Sequence, residues 1–203
     1  AAMGLDNSEV TGGIDAFALG IYSVNPDAKV YVKVTNSWYD PKAEEEAARK
    51  LLDMNCDVIA QHCDTVYPQT LAQQKGVYSI GYNSDMSKEA PEACLCSVIW
   101  NWSAYYTSAV QSVIDGTWDG SNYYGGMNEN LVSITPIADF AAAATKEKVN
   151  MAKQQILSGK NGVFDGVIET NTGAEVGTAG KTLEDSVITG GINWYFKTVK
   201  VIE

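Results

Sequence analysis

Three short runs rich in β-branched or apolar residues dominate the first half of the chain: Lys29 to Thr35 (KVYVKVT), Asp57 to Ala60 (DVIA) and Val77 to Tyr82. Each is separated from the next by a stretch of helical periodicity. Strand, helix and strand in that order require the chain to return to the same end of the sheet, so these strands are parallel. The alternation therefore predicts an α/β fold.

The flanking signals fill in the helices. Val10, Ile14, Phe17, Ala18 and Ile21 recur at helical spacing, predicting a helix over 9–24 that Asn25-Pro26-Asp27 ends. Asp40-Pro41 reads as N-cap and first helical residue, followed by Glu44, Glu45 and Glu46 where the helix dipole favours acids. Ala43, Ala47, Leu51 and Met54 form the expected buried stripe of that helix. A further helix is predicted over 65–75, with Asp64 as its cap and Gly76 as its stop. Cys94 to Ile99 reads as another strand, and Trp102 to Asp115 as a helix with Tyr106, Ala109, Val110 and Val113 on one side and Gly116 as its end. Leu131 to Thr135 is a short strand, and 138–158 an Ala-rich helix closed by Gly159. From 162 onward, closely spaced glycines between short β-branched pieces predict antiparallel hairpins.

Composition narrows the functions open to such a chain. Its 203 residues are 45% apolar, enough for a core. Asp and Glu total 25 against 14 Lys and Arg, a formal charge of -11, and Arg49 is the sole arginine. So acidic a surface, without a basic cluster, argues against nucleic acid or anionic lipid as partner. No apolar run of about 18 residues is present to span a bilayer. Cys56 and Cys63, and Cys94 with Cys96, have neither the spacing nor the histidines of a zinc site, since His62 is the one histidine. They read as small buried hydrophobes, with pairing left open.

In an open α/β sheet, ligands bind beyond the carboxyl ends of the parallel strands. Three such ends are Asn36-Ser37-Trp38-Tyr39-Asp40, Gln61-His62-Cys63-Asp64 and Asn83-Ser84-Asp85-Met86. They share one edge, so Trp38, His62, Asn83 and Asp85 are candidates to line a cleft. An indole with amides and carboxylates suits a flat, uncharged or cationic ligand that stacks and donates hydrogen bonds. Each residue has a plainer reading: Trp38 packed under the following helix, Asp40 and Asp64 as caps, His62 as a satisfied structural histidine. No G-x-G-x-x-G after a strand, phosphate-binding G-x-x-x-x-G-K-[ST] or G-x-S-x-G elbow occurs. The chain presents a recognition edge without a catalytic set, a metal site or a cofactor site.

Asn36 to Pro41, Asn55 to Asp64 and Ile80 to Met86 resemble successive blocks of the basic membrane protein (BMP/PnrA-like) solute-binding lipoproteins. Gly116-Thr117-Trp118 and Gly190 to Tyr195 resemble later blocks. The resemblance implies a periplasmic-binding protein type I fold, two α/β lobes closing on a purine nucleobase or nucleoside, with no enzymatic activity. It also implies an ABC permease as partner, an extracytoplasmic location and membrane attachment only through a lipid anchor. It places a first lobe and export signal upstream of Ala1, making 1–99 the core of the second lobe, 100–160 a crossover segment shared with the first, and 161–203 a β-rich tail. Trp38 takes the position of the base-stacking ring, and Asp85 that of a carboxylate accepting from the ligand. Where nucleoside-binding members carry a lysine, Leu95 to Ile99 is followed here by Trp100. That departure, with Trp102, Tyr105 and Tyr106, shifts the expectation to a free base such as adenine. A ligand-sensing receptor domain on the same fold, or a small α/β enzyme using Asp64, Asp85 and His62, are the other readings.

Overall fold

The computed structural model describes all residues 1–203. In chain order the elements are α1 (Ser8–Val24), β1 (Val30–Lys33), α2 (Pro41–Asp53), β2 (Val58–Ala60), α3 (Tyr67–Lys75), β3 (Tyr78–Asn83) and β4 (Cys94–Trp100). They continue with α4 (Ser103–Ile114), β5 (Val132–Ile134), α5 (Ala143–Leu157), β6 (Asp165–Glu169), β7 (Glu175–Thr182), α6 (Asp185–Gly190) and β8 (Val199–Ile202). The predicted α/β architecture is present: β2, β3 and β4 are parallel, β5 joins the edge antiparallel, and β1 pairs in parallel with β8. No helix is long and apolar enough to cross a membrane.

The free edges of β1 and β2 are linked by the first residues. Ala1 donates to Lys33 O and its carbonyl accepts from Thr35 N–H, both at 2.8 Å, while Ala2 N–H donates to His62 O at 3.0 Å. This is parallel-ladder geometry, and it brings the ends of β1 and β2 to one side of the molecule.

Local signals act as expected at several ends. Asp40 Oδ1 accepts from Lys42 N–H and Ala43 N–H at 3.1 and 3.0 Å, capping α2 with Pro41 at its first position. Gly76 and Gly116 adopt φ of 71° and 69° after α3 and α4, where a side chain would be strained.

Other expectations are corrected. Asp64 does not cap α3, which starts at Tyr67 with Val66 at the cap position, two residues too late for the Asp64 carboxylate. The buried row of α2 is Glu44, Ala47, Ala48 and Leu52, with Met54 exposed; a buried acid is invisible to an apolar pattern. α5 begins at Ala143, because the Ala138 N–H is taken by Leu95 O at 2.8 Å. The tail forms one hairpin, β6–β7, followed by α6 and by β8 parallel to β1 rather than a second hairpin.

The main core lies between α1, β1, β6 and β8, with Val10, Ile14, Val32, Phe164, Ile168, Ile192 and Phe196 at its centre. A second cluster, Ala48, Leu52, Ile59, Leu71 and Ala72, fills the space between α2, α3 and β2. α4 and α5 bury no residue, and Tyr106 and Val110 of α4 are 57% and 60% exposed. All four cysteines are free.

Candidate functional site

The chain leaves β1 and β3 through asparagines in the left-handed region, Asn36 (φ 56°) and Asn83 (φ 67°). Asn tolerates this conformation better than most other non-glycine residues, so the chain turns sharply after each strand at the candidate edge. The Trp38 carbonyl then accepts from Asp64 N–H at 2.9 Å, tying the loop after β1 to the loop after β2.

The side chains on this edge form two groups of aromatic rings. Trp38 is half-buried against the main core and meets His62 edge-on, with centroids 5.7 Å apart at 65°. His62 lies 4.3 Å from the ring of Tyr82 on β3. At the end of β4, Trp100 stacks on Trp102 at 5.3 Å, and Trp102 on Tyr106 at 5.9 Å.

Glu9, on the first turn of α1, reaches across to this face. Its Oε1 lies 3.0 Å from His62 Nε2 and accepts from the Tyr82 hydroxyl at 3.3 Å. The hydrogen bond from His62 holds the Glu9 carboxyl below its usual range, while burial and then the Glu9 charge push the Tyr82 hydroxyl up to about 12. Neither Glu9 nor Tyr82 was singled out by sequence pattern. Glu9 precedes the helical stripe, and Tyr82 reads as an ordinary strand residue; only their proximity to His62 marks them.

His62 is held on both sides of its ring, by a hydrogen bond at Nε2 and by packing at Nδ1. Nε2 faces Glu9, and Nδ1 packs so closely on α1 that a Cβ at Gly13 would lie 3.0 Å from it. The Cys63 thiol points instead toward Thr35 Oγ1, at 3.6 Å. The His62 ring thus has no hydroxyl or thiol hydrogen-bonded to it that it could activate.

Asp64 Oδ1 accepts from Asn83 Nδ2 at 3.4 Å, joining the second and third loops. Asp85 is exposed on the third loop. Its Oδ1 accepts from Ser87 N–H at 3.0 Å, and the backbone and side-chain hydrogen bonds from Ser87 hold its carboxyl below the usual range. The loop is anchored by Met86, buried beside it, whose N–H donates to Ser97 Oγ at 3.1 Å. The edge therefore brings together Trp38, His62 and, through Asp64, Asn83. Asp85, Trp100 and Trp102 stand farther along the same carboxyl ends, and no side-chain hydrogen bond or ring contact joins them to Trp38, His62 or Asn83.

Strand ends that carry aromatic rings and hydrogen-bond acceptors are suited to recognising a small ligand. The chain belongs to the family described as ABC transporter substrate-binding protein PnrA-like, which it matches over residues 1–163. It is 37% identical over 187 residues to a purine-binding protein of Brucella abortus (strain 2308), covering 92% of this chain and 53% of that protein. It is also 35% identical over 158 residues to a protein of Haloferax volcanii named as an ABC transporter glucose-binding protein, covering 78% of this chain and 40% of the relative. The chain thus spans about half the length of these relatives. An ABC transporter solute-binding protein from Conexibacter woesei shares its fold, with a TM-score of 0.54 at 20% identity over 78% of this chain and 61% of that one.

Proposed function

We propose that this chain forms most of one lobe of an ABC importer's receptor, and that the receptor traps a purine base between two lobes. The observation carrying this reading is the half-buried Trp38 indole, held edge-on to the His62 ring, which lies in turn against Tyr82, at an edge that also carries the Glu9, Asp64 and Asp85 carboxylates. A flat base presents a face for the indole and amino or ring N–H groups for Asp85 and Asn83. The name of the Brucella relative supports a purine, and Trp100 in place of a lysine supports a free base such as adenine over a nucleoside. The lack of a hydroxyl or thiol hydrogen-bonded to the His62 ring supports binding over catalysis.

The exposed apolar side of α4, with Trp102 and Tyr106, supports assigning 100–160 to a surface shared with a first lobe, alongside a 1–99 core and a 161–203 tail. The permease, the extracytoplasmic location and a lipid anchor come with the family and belong to the same proposal.

Adenine added to the full-length protein is expected to quench tryptophan fluorescence and to bind more tightly than adenosine or glucose. Trp38→Ala is expected to weaken adenine about 30-fold, since stacking a base on an aromatic ring contributes about 1–3 kcal/mol. Isothermal titration reads both, and wild-type affinity in Trp38→Ala would remove the stacking role. The 203 residues alone are expected to bind adenine far more weakly than the full-length protein, because part of the enclosing surface is absent; low-micromolar binding by the isolated chain would contradict the two-lobe reading.

A further inference from the structure

Glu44 is 2% exposed, on the first turn of α2. An acid so buried costs several kcal/mol unless donors surround it. Three do. Oε1 accepts from Asp40 N–H at 3.2 Å, while Oε2 accepts from Thr65 N–H at 3.1 Å and from the Thr65 hydroxyl at 2.7 Å. Asp40 closes the loop that carries Trp38, and Thr65 closes the loop that carries His62 and Asp64. One carboxylate thus ties both strand-end loops, which the Asp64-to-Trp38 backbone hydrogen bond also joins.

We infer that Glu44 is a positioning residue for ligand recognition, clamping the two loops so that the Trp38 ring is presented in one orientation. The inference rests on the purine-binding reading of this edge. Helix capping alone does not account for the arrangement, because Asp40 already caps α2 with its own side chain. The remaining oxygen of Glu44 is spent on a different loop, 21 residues away in sequence. Ordering a contact group before the ligand arrives removes that cost from binding.

Glutamine at this position keeps the shape and breaks the clamp. Its single oxygen can accept from Asp40 N–H or from Thr65 N–H, and either choice turns the amide NH2 toward the other backbone donor. Thr65→Val is the milder variant, removing the hydroxyl donor and keeping the N–H.

The test uses the full-length protein labelled with 5-fluorotryptophan, with the Trp38 resonance assigned by its loss in Trp38→Phe. Glu44→Gln is expected to shift or broaden the Trp38 line, leave the Trp118 and Trp194 lines in place, and weaken adenine about tenfold. Thr65→Val is expected to move the same line and the affinity in the same direction by less, and it serves if Glu44→Gln does not fold. A merely structural Glu44 would lower the melting temperature while leaving the Trp38 line and the affinity unchanged, which overturns the inference. If Trp38→Phe and Trp38→Ala bind adenine as wild type does, the site reading fails instead, and the Trp38 line in Glu44→Gln still decides whether the clamp exists.

Discussion

Unfolding by urea is expected to become easier as pH rises from 5 to 8, by roughly 3 kcal/mol, with Asp15 as the cause. Asp15 sits on α1 with 0% exposure in the main core. Its Oδ1 accepts from Phe196 N–H at 2.7 Å, and its Oδ2 has no partner. Burial raises its carboxyl from 3.8 to about 7, and the Phe196 hydrogen bond only partly opposes this. The sign follows from proton binding. Between these two values the folded chain holds a proton on Asp15 that the unfolded chain has released, so stability is highest at low pH and is lost as pH rises toward about 7. Glu9 and Asp85 act oppositely, but their carboxyls lie below the usual range, so their contribution is complete before pH 6. Tyr195, which faces Asp15, has its hydroxyl raised and stays neutral throughout. Urea midpoints at pH 5, 6, 7 and 8 give the profile. Asp15→Asn is expected to flatten it and to exceed wild type in stability at pH 8; parallel profiles for the two proteins would refute the assignment.

Gly81→Ala is expected to cost about 3 kcal/mol. Gly81 lies on β3 directly opposite Ser97 of β4, and a Cβ there would collide with Ser97 Oγ and stand 3.1 Å from Met86 Cβ. Ser97 cannot yield easily. It is fully buried, its Oγ accepts from Met86 N–H, and its N–H donates to Thr135 Oγ1 at 2.8 Å. The displaced hydroxyl would release Met86, and with it the loop bearing Asp85, so ligand affinity is expected to fall with stability. A double-mutant cycle isolates the clash: Gly81→Ala with Ser97→Gly is expected to cost less than the sum of the single changes. A single Gly81→Ala within about 1 kcal/mol of wild type would show that the strand pair has room there.

The elements that could be read from sequence are those whose signal is local. Asp40-Pro41 announced α2 because a cap needs only the next three residues, and Gly76 and Gly116 announced helix ends because a left-handed residue has a steric requirement of its own. The apolar rows of α1 and α4 were likewise visible, although only the row of α1 is covered within this chain. The buried row of α2 was read one residue off, because Glu44 in that row is satisfied by Thr65 and hydrophobic pattern carries no record of a distant donor.

The candidate site divides in the same way. Trp38, His62 and Asp85 could be nominated from sequence because strand ends are where a parallel sheet exposes its loops, so position alone made them candidates. Glu9 and Tyr82 were not, since a carboxylate on a helix and a phenol on a strand mean nothing until folding places both against His62.

By itself, the sequence determined the kinds and order of the elements as far as α5, the edge nominated for ligand loops and the resemblance to a family, because periodicity, caps and motifs are properties of neighbouring residues. Only the tertiary structure decided that β8 returns beside β1, that Phe196 meets Asp15 across 181 residues, and that Glu44 bridges two loops. Those pairings are selected by what each buried polar group finds in three dimensions, and the cost of leaving it unpaired, not any local pattern, enforces them.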